Sequence, residues 1–157
     1  MSILYICVGA PASGKTTWSQ QFCQEHPEFV YISSDGLRGT IGLSESDQSV
    51  SREVFLTMFI MERYFLRNGK SAIIDATNVR ESNRREFIQI AVEEEAEIRF
   101  RIFKAKLETL KERNLKRDKV VPEDVIEKMY KNFTMPRKEE MNGYENWRLE
   151  IVGECTC

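Results

Sequence analysis

The residues best equipped for chemistry are Gly9-Ala10-Pro11-Ala12-Ser13-Gly14-Lys15-Thr16, a complete G-x-x-x-x-G-K-[ST] match. Glycine lets the backbone bend until several N–H groups converge on one oxyanion. A helix starting near Lys15 adds its positive N-terminal end. Lys15 reaches the β- and γ-phosphates of a nucleoside triphosphate, and Thr16 offers a hydroxyl to Mg²⁺. The match follows an apolar strand, Ile3 to Val8, and precedes a helix, the context such a loop requires. Phosphate binding, with ATP or another nucleoside triphosphate and Mg²⁺ as ligands, is the strongest expectation from this chain.

Ligands of an open α/β sheet bind at the carboxyl ends of its strands, and three charged positions fall there. Asp35 and Arg38 follow the second strand. Asp35 can accept a proton from an attacking hydroxyl and position it. The dipeptide Asp35-Gly36 also suits a turn that caps a helix. Arg38, three residues on, shares a helical face with Asp35 and can clamp a phosphoryl group, or simply form a surface ion pair. Asp75 closes the apolar run Ala72-Ile73-Ile74 in a Walker-B-like pattern that suits a Mg²⁺-bound water, or a strand-end turn with Thr77 and Asn78. Residues 111–119 hold five basic and two acidic side chains. A basic lid over about 106–120 would exclude water, with Arg113 or Arg117 as an arginine finger from the same chain.

Alternating strands and helices position these groups. Strands are expected at Ile3–Val8, Phe29–Ile32, Ser71–Ile74, Ile98–Ile102 and Trp147–Val152. The Ile98–Ile102 segment alternates with Arg99 and Arg101, which suggests a place nearer the sheet edge. Helices are expected over Lys15–Glu25, from about Val50 to Phe65 with Asn68-Gly69 as its stop, over about Glu81–Glu94, over Lys106–Arg117, and beyond Pro122. The run Glu93-Glu94-Glu95 reads as a solvated helix end. The pattern predicts an α/β fold of three layers, with a central parallel sheet and a basic helical lid.

The 157 residues suit one domain over 1–157, and a hydrophobic share of 41% suits a packed core. A net charge of −2 argues against a protein that coats nucleic acid, so contact with it should be local. Cys7 reads as a small buried hydrophobe, Cys155 and Cys157 as a frayed tail, and His26 as a solvated residue at a helix end. No metal-binding cysteine pattern, signal peptide or long apolar run is visible, and the cytoplasm is the default location.

Four segments together resemble the kinase domain of bacteriophage polynucleotide 5′-hydroxyl kinase and its bacterial and eukaryotic relatives. They are Gly9 to Thr16 with Thr17-Trp18, Ser34 to Arg38, Asp75-Ala76-Thr77-Asn78, and Arg113 to Arg117 running into Val121-Pro122. The resemblance implies transfer of the γ-phosphate of ATP to the 5′-hydroxyl end of DNA or RNA. Asp35 would be the general base and Arg38 the residue on the acceptor phosphate. Arg117, beside Arg113, would hold the donor phosphates, and Gly9, Ala12, Ser13, Gly14, Lys15, Thr16 and Thr17 would form the cradle. In the phage enzyme the aspartate before Thr-Asn falls one residue later, where this chain has Ala76. The phage enzyme also carries a phosphatase domain for which this chain has no room, so removal of 3′-phosphates is not expected. A kinase of small molecules (nucleoside, nucleotide, sugar or antibiotic) or a non-catalytic nucleotide-binding module would share the loop and lid.

Overall fold

The computed structural model describes residues 1–153, and Cys155 and Cys157 lie outside the described residues. Five strands, β1 (Ile3–Val8), β2 (Phe29–Ser33), β3 (Ser71–Asp75), β4 (Glu97–Lys104) and β5 (Trp147–Gly153), form one parallel sheet in the order β2-β3-β1-β4-β5. Helices α1 (Lys15–Glu25), α2 (Ser34–Ile41), α3 (Ser51–Arg67), α4 (Glu81–Glu93), α5 (Leu107–Leu115) and α6 (Glu123–Lys131) connect them. The three-layer α/β architecture expected from the sequence is the one observed.

The continuous apolar run of β1 has a simple cause. Leu4, Ile6 and Val8 pack on one face with Val54, Met58 and Phe87 of α3 and α4. Tyr5 and Cys7 pack on the other with Trp18 and Phe22 of α1. A strand covered on both faces has no solvent side to alternate with. From β1 the chain leaves toward β3 and β2, and later returns across β1 to β4. The direction of winding therefore reverses beside the end of β1, the place where open α/β sheets bind ligands.

Several expectations change in detail. The stretch after β2 is an eight-residue helix, α2, not only a turn. Ser33 caps it by accepting the Gly36 N–H at 3.1 Å, and two internal glycines hide it from propensity. β4 lies second from the edge, between β1 and β5. Its arginines alternate because they stack on rings, Arg99 over Tyr5 and Arg101 over Trp18 at 4.2 Å, and pair with Glu97 and Glu150. The acidic run is not merely solvated: Glu93 and Glu94 bind Arg63 and Arg67 of α3. His26 caps α1 with its ring stacked on Phe22 at 4.2 Å.

Two ionisable side chains, Arg84 and Glu62, are completely buried. Arg84 is fully buried and bonds Glu140 at 2.9 and 2.7 Å, with further donations to the carbonyls of Asn78 and Thr134. Glu62 is also fully buried, in the α3 stripe Val54–Met58–Glu62–Leu66, and neither carboxylate oxygen has a hydrogen-bond partner. Burial pushes its carboxyl well above the usual range, against a weaker pull from Arg63.

The sign of its effect follows from linkage. Native Glu62 holds its proton at pH values where the unfolded chain has released it, so stability is lost as pH rises above about 4.5. Glu62→Gln should match the parent in acid. Toward neutral pH it should become the more stable, by up to about 1.4 kcal/mol for each pH unit until the native group ionises. Urea midpoints across pH measure this, and parallel curves for the two proteins would contradict the buried, protonated carboxyl.

Candidate active site

The loop between β1 and α1 is built by what its glycines lack. A Cβ on Gly9 would sit 2.6 Å from Ser13 Oγ and 2.9 Å from the Phe103 carbonyl oxygen of β4, so only hydrogen fits. Gly14 caps α1 at φ 101, and Ala12 also takes a positive φ of 67. The loop is fixed from outside as well. The Gly9 N–H donates to the Thr77 carbonyl at 2.9 Å, and Asn78 Nδ2 donates to the Cys7 carbonyl at 3.0 Å. The 75–78 segment therefore braces both ends of the β1-to-loop junction.

The first four amides of a helix have no intrahelical acceptor and carry the positive end of its dipole. In α2, α3, α4, α5 and α6 an acidic residue of the first turn answers that end: Asp35, Glu53, Glu81, Glu108, and Glu123 with Asp124. α1 has none. Its amides and Lys15 have no carboxylate from their own helix to answer them; Asp75, bonded to Thr16, comes from the end of β3.

Lys15 is buried, and its ammonium donates to the Ala10 carbonyl at 2.8 Å and to Ser13 Oγ at 3.3 Å. Burial holds it below the usual lysine range, opposed by the charge of Asp75. An anion in the loop would oppose that lowering by favouring the charged form. Cys7 beneath the loop stays a neutral thiol, pushed up to about 12 chiefly by burial. Thr16 Oγ1 donates to Asp75 Oδ2 at 2.8 Å, and the Tyr31 hydroxyl donates to the same oxygen. A hydroxyl and a carboxylate so placed are oxygen donors of the type a hard cation such as Mg²⁺ takes, together with phosphate oxygens and water. Among the described residues no cluster of three or more His, Cys, Asp or Glu could hold a metal without such help.

A cavity of about 1130 Å³ opens over this loop, lined by Lys15, Thr16, Asp35, Arg38, Arg113 and Arg117 among others. Asp35 stands in the first turn of α2 with its carboxylate 2.9 Å from Arg38 Nη1. Arg38 is buried, and its Nε has no hydrogen-bond partner. Arg117 likewise leaves a buried Nη1 without a partner. With Arg101, whose buried Nε is also unpartnered, three such guanidinium nitrogens belong to lining residues and suit anionic oxygens. The structure thus brings every sequence-derived site residue around one cavity or its loop.

The basic segment is α5 and the turn after it, and α6 completes a helical hairpin. Leu110 and Ile126 dock it on Ala10 of the loop, and Asn114 closes its turn by exchanging hydrogen bonds with the Val121 backbone at 2.7 and 2.9 Å. Of its cations, Lys111 is taken up by Glu123 and Glu127, and Lys119 pairs with Glu45.

Sequence reasoning missed Tyr31, and it gave Asn78 only a turn. Arg84, which fixes Asn78 through its carbonyl, was also missed. One signal for Arg84 existed: it shares the spacing of the buried α4 stripe Phe87, Ile88 and Ala91.

A family model described as an AAA domain (AAA_33) matches residues 4–136. The chain is 30% identical over 139 residues to an L-seryl-tRNA(Sec) kinase of Methanococcus maripaludis, covering 85% of this chain and 53% of the relative. It therefore spans about half the length of that relative. A chain of the Pnkp1/Rnl/Hen1 RNA repair complex superposes with a TM-score of 0.74 at 25% identity, over 92% of this chain and 47% of that one. A gluconokinase of Sinorhizobium meliloti has the same fold, with a TM-score of 0.61 at 14% identity over 96% of this chain and 82% of the other.

Gly9→Ala tests the cradle, because the added methyl meets backbone it cannot displace. Affinity for ATP, measured by calorimetry, should fall at least about tenfold, equivalent to one lost charge-assisted hydrogen bond. Retained affinity would mean that the tight approach of β4 to Gly9 does not shape the loop.

Proposed function

From membership of the AAA_33 family of P-loop kinase domains, to which this chain belongs, we propose that it is a phosphotransferase moving the γ-phosphate of ATP to the 5′-hydroxyl end of a nucleic acid strand. The observation that carries the reading is the pairing of two sets of groups across one cavity. The loop, Lys15 and Arg117 suit a triphosphate, and Asp35 with Arg38 faces them from α2. A cavity of about 1130 Å³ exceeds the roughly 1000 Å³ of large single-ligand sites and suits two substrates.

In this reading the acceptor oxygen attacks the γ-phosphorus. A new P–O bond forms, the bond to the β,γ-bridging oxygen breaks, and ADP leaves. The hydroxyl proton passes to the Asp35 carboxylate, whose larger task is to aim the oxygen, since the transition state is loose. Lys15 and Arg117 balance charge on the donor phosphates, and the Arg38 guanidinium takes an acceptor phosphate. Thr16, backed by Asp75, would hold Mg²⁺, which neutralises charge on the phosphate oxygens. Two of the relatives support an acceptor carried on RNA, since one is named for a tRNA substrate and the other belongs to an RNA repair complex. No helix among the described residues is long and apolar enough to cross a membrane.

The deciding assay offers ATP labelled on its γ-phosphate to 5′-hydroxyl DNA and RNA oligonucleotides, seryl-tRNA, nucleosides and gluconate side by side. Label should enter the 5′ end of an oligonucleotide, and transfer only to a small molecule would replace this reading with that of a small-molecule kinase. Asp35→Ala should lower turnover by about 10²–10⁴-fold while ATP still binds. Unchanged turnover would remove Asp35 from the chemistry and favour a nucleotide-binding module.

A further inference from the structure

Resting on the polynucleotide reading of this same site, we infer that the cavity mouth beyond Asp35 is a track for the acceptor strand, in which Arg80 and Lys128 each take a phosphate on the 3′ side of the terminal nucleotide. Besides Asp35 and Arg38, the same cavity is bordered by three further elements. They are the start of α3 with Ser51 and Phe55, the start of α4 with Arg80, and α6 with Lys128. The acidic lining residues are Asp35, in the first turn of α2 and paired with Arg38, and Asp75, at the end of β3.

The border is built rather than loose. The Thr134 N–H behind α6 donates to the Val79 carbonyl at 2.7 Å, next to Arg80. Arg84 ties the same two segments through the carbonyls of Asn78 and Thr134. Arg80 and Lys128 are therefore carried by elements fixed against each other.

Their charge is also uncompensated. Each has a glutamate as its chain neighbour, and each of those glutamates is engaged elsewhere. Glu81 pairs with Arg137, and Glu127 pairs with Lys111 at 2.7 Å. Arg80 and Lys128 are exposed and form no ion pair among the described residues. They line the same cavity as Arg38, in a chain of net charge −2. A small acceptor ending near Asp35 has no groups for the outer two cations. A strand presents an anion at each nucleotide and has one for each.

The test compares acceptors of growing length: a nucleoside 3′-phosphate, a 3′-phosphorylated dinucleotide and trinucleotide, and a longer oligonucleotide. In the parent, KM should fall as the second and third phosphates are added. Arg80→Gln and Lys128→Gln should each erase one of those steps, about tenfold per contact. The double variant should lose its preference for length, and the slope of log KM against log salt should shrink by about 0.7 for each cation removed. Arg80→Lys with Lys128→Arg should restore both, which separates charge from folding. An unchanged length preference in the double variant, or an equal rise in KM for every acceptor, would overturn the track. A parent that labels no nucleotide acceptor at all would overturn the track together with the reading beneath it.

Discussion

The positive end of α1 is the constraint on which the rest of the structure depends. Each of the other five helices carries a carboxylate in its first turn, whereas α1 begins with Lys15, Thr16 and Thr17 beneath a cavity. Unanswered amides and a buried ammonium are costly unless an anion arrives. The surroundings hold them in place until it does. Gly9 presses against β4, Gly14 turns the chain, and Asn78 grips the Cys7 carbonyl from below.

That grip is itself supported at longer range. Arg84 anchors the Asn78 carbonyl, draws in Thr134 behind α6 and is neutralised by Glu140. The phosphate loop, the 75–78 segment and the segment after α6 therefore meet at one buried guanidinium. A buried ion pair of this kind adds little net stability, but loss of one partner costs about 3–5 kcal/mol. Its contribution here is positional: it sets α4 and the segment after α6 in a single arrangement around the site.

The sheet and most helices were legible because burial writes itself into sequence as apolar runs and stripes. β1, β3 and α1 are covered on the sides their residues announce. α2 was harder, since Gly36 and Gly39 argue against a helix and the decisive cap comes from Ser33 in the preceding strand. Glu62 and Arg84 drew no notice in the sequence, because charged residues are ordinarily solvated. Their spacing within the α3 and α4 stripes pointed inward all the same. The loop motif and Asp35 stood out locally. The meeting of Thr16 with Asp75, and of both with Tyr31, joins residues far apart in the chain, and only the register of β2, β3 and the loop creates it.

The Arg84–Glu140 pair also bears on where the folding unit stops. The family match closes at residue 136, yet the counter-charge lies at 140, and β5 beyond it pairs along the outer side of β4. A piece trimmed to the matched span would keep the whole phosphate cradle. It would also leave a bare guanidinium in the interior and an unpaired strand edge open to sticky self-association. The smallest autonomous version of this molecule is thus longer at its carboxyl end than sequence likeness alone would draw it.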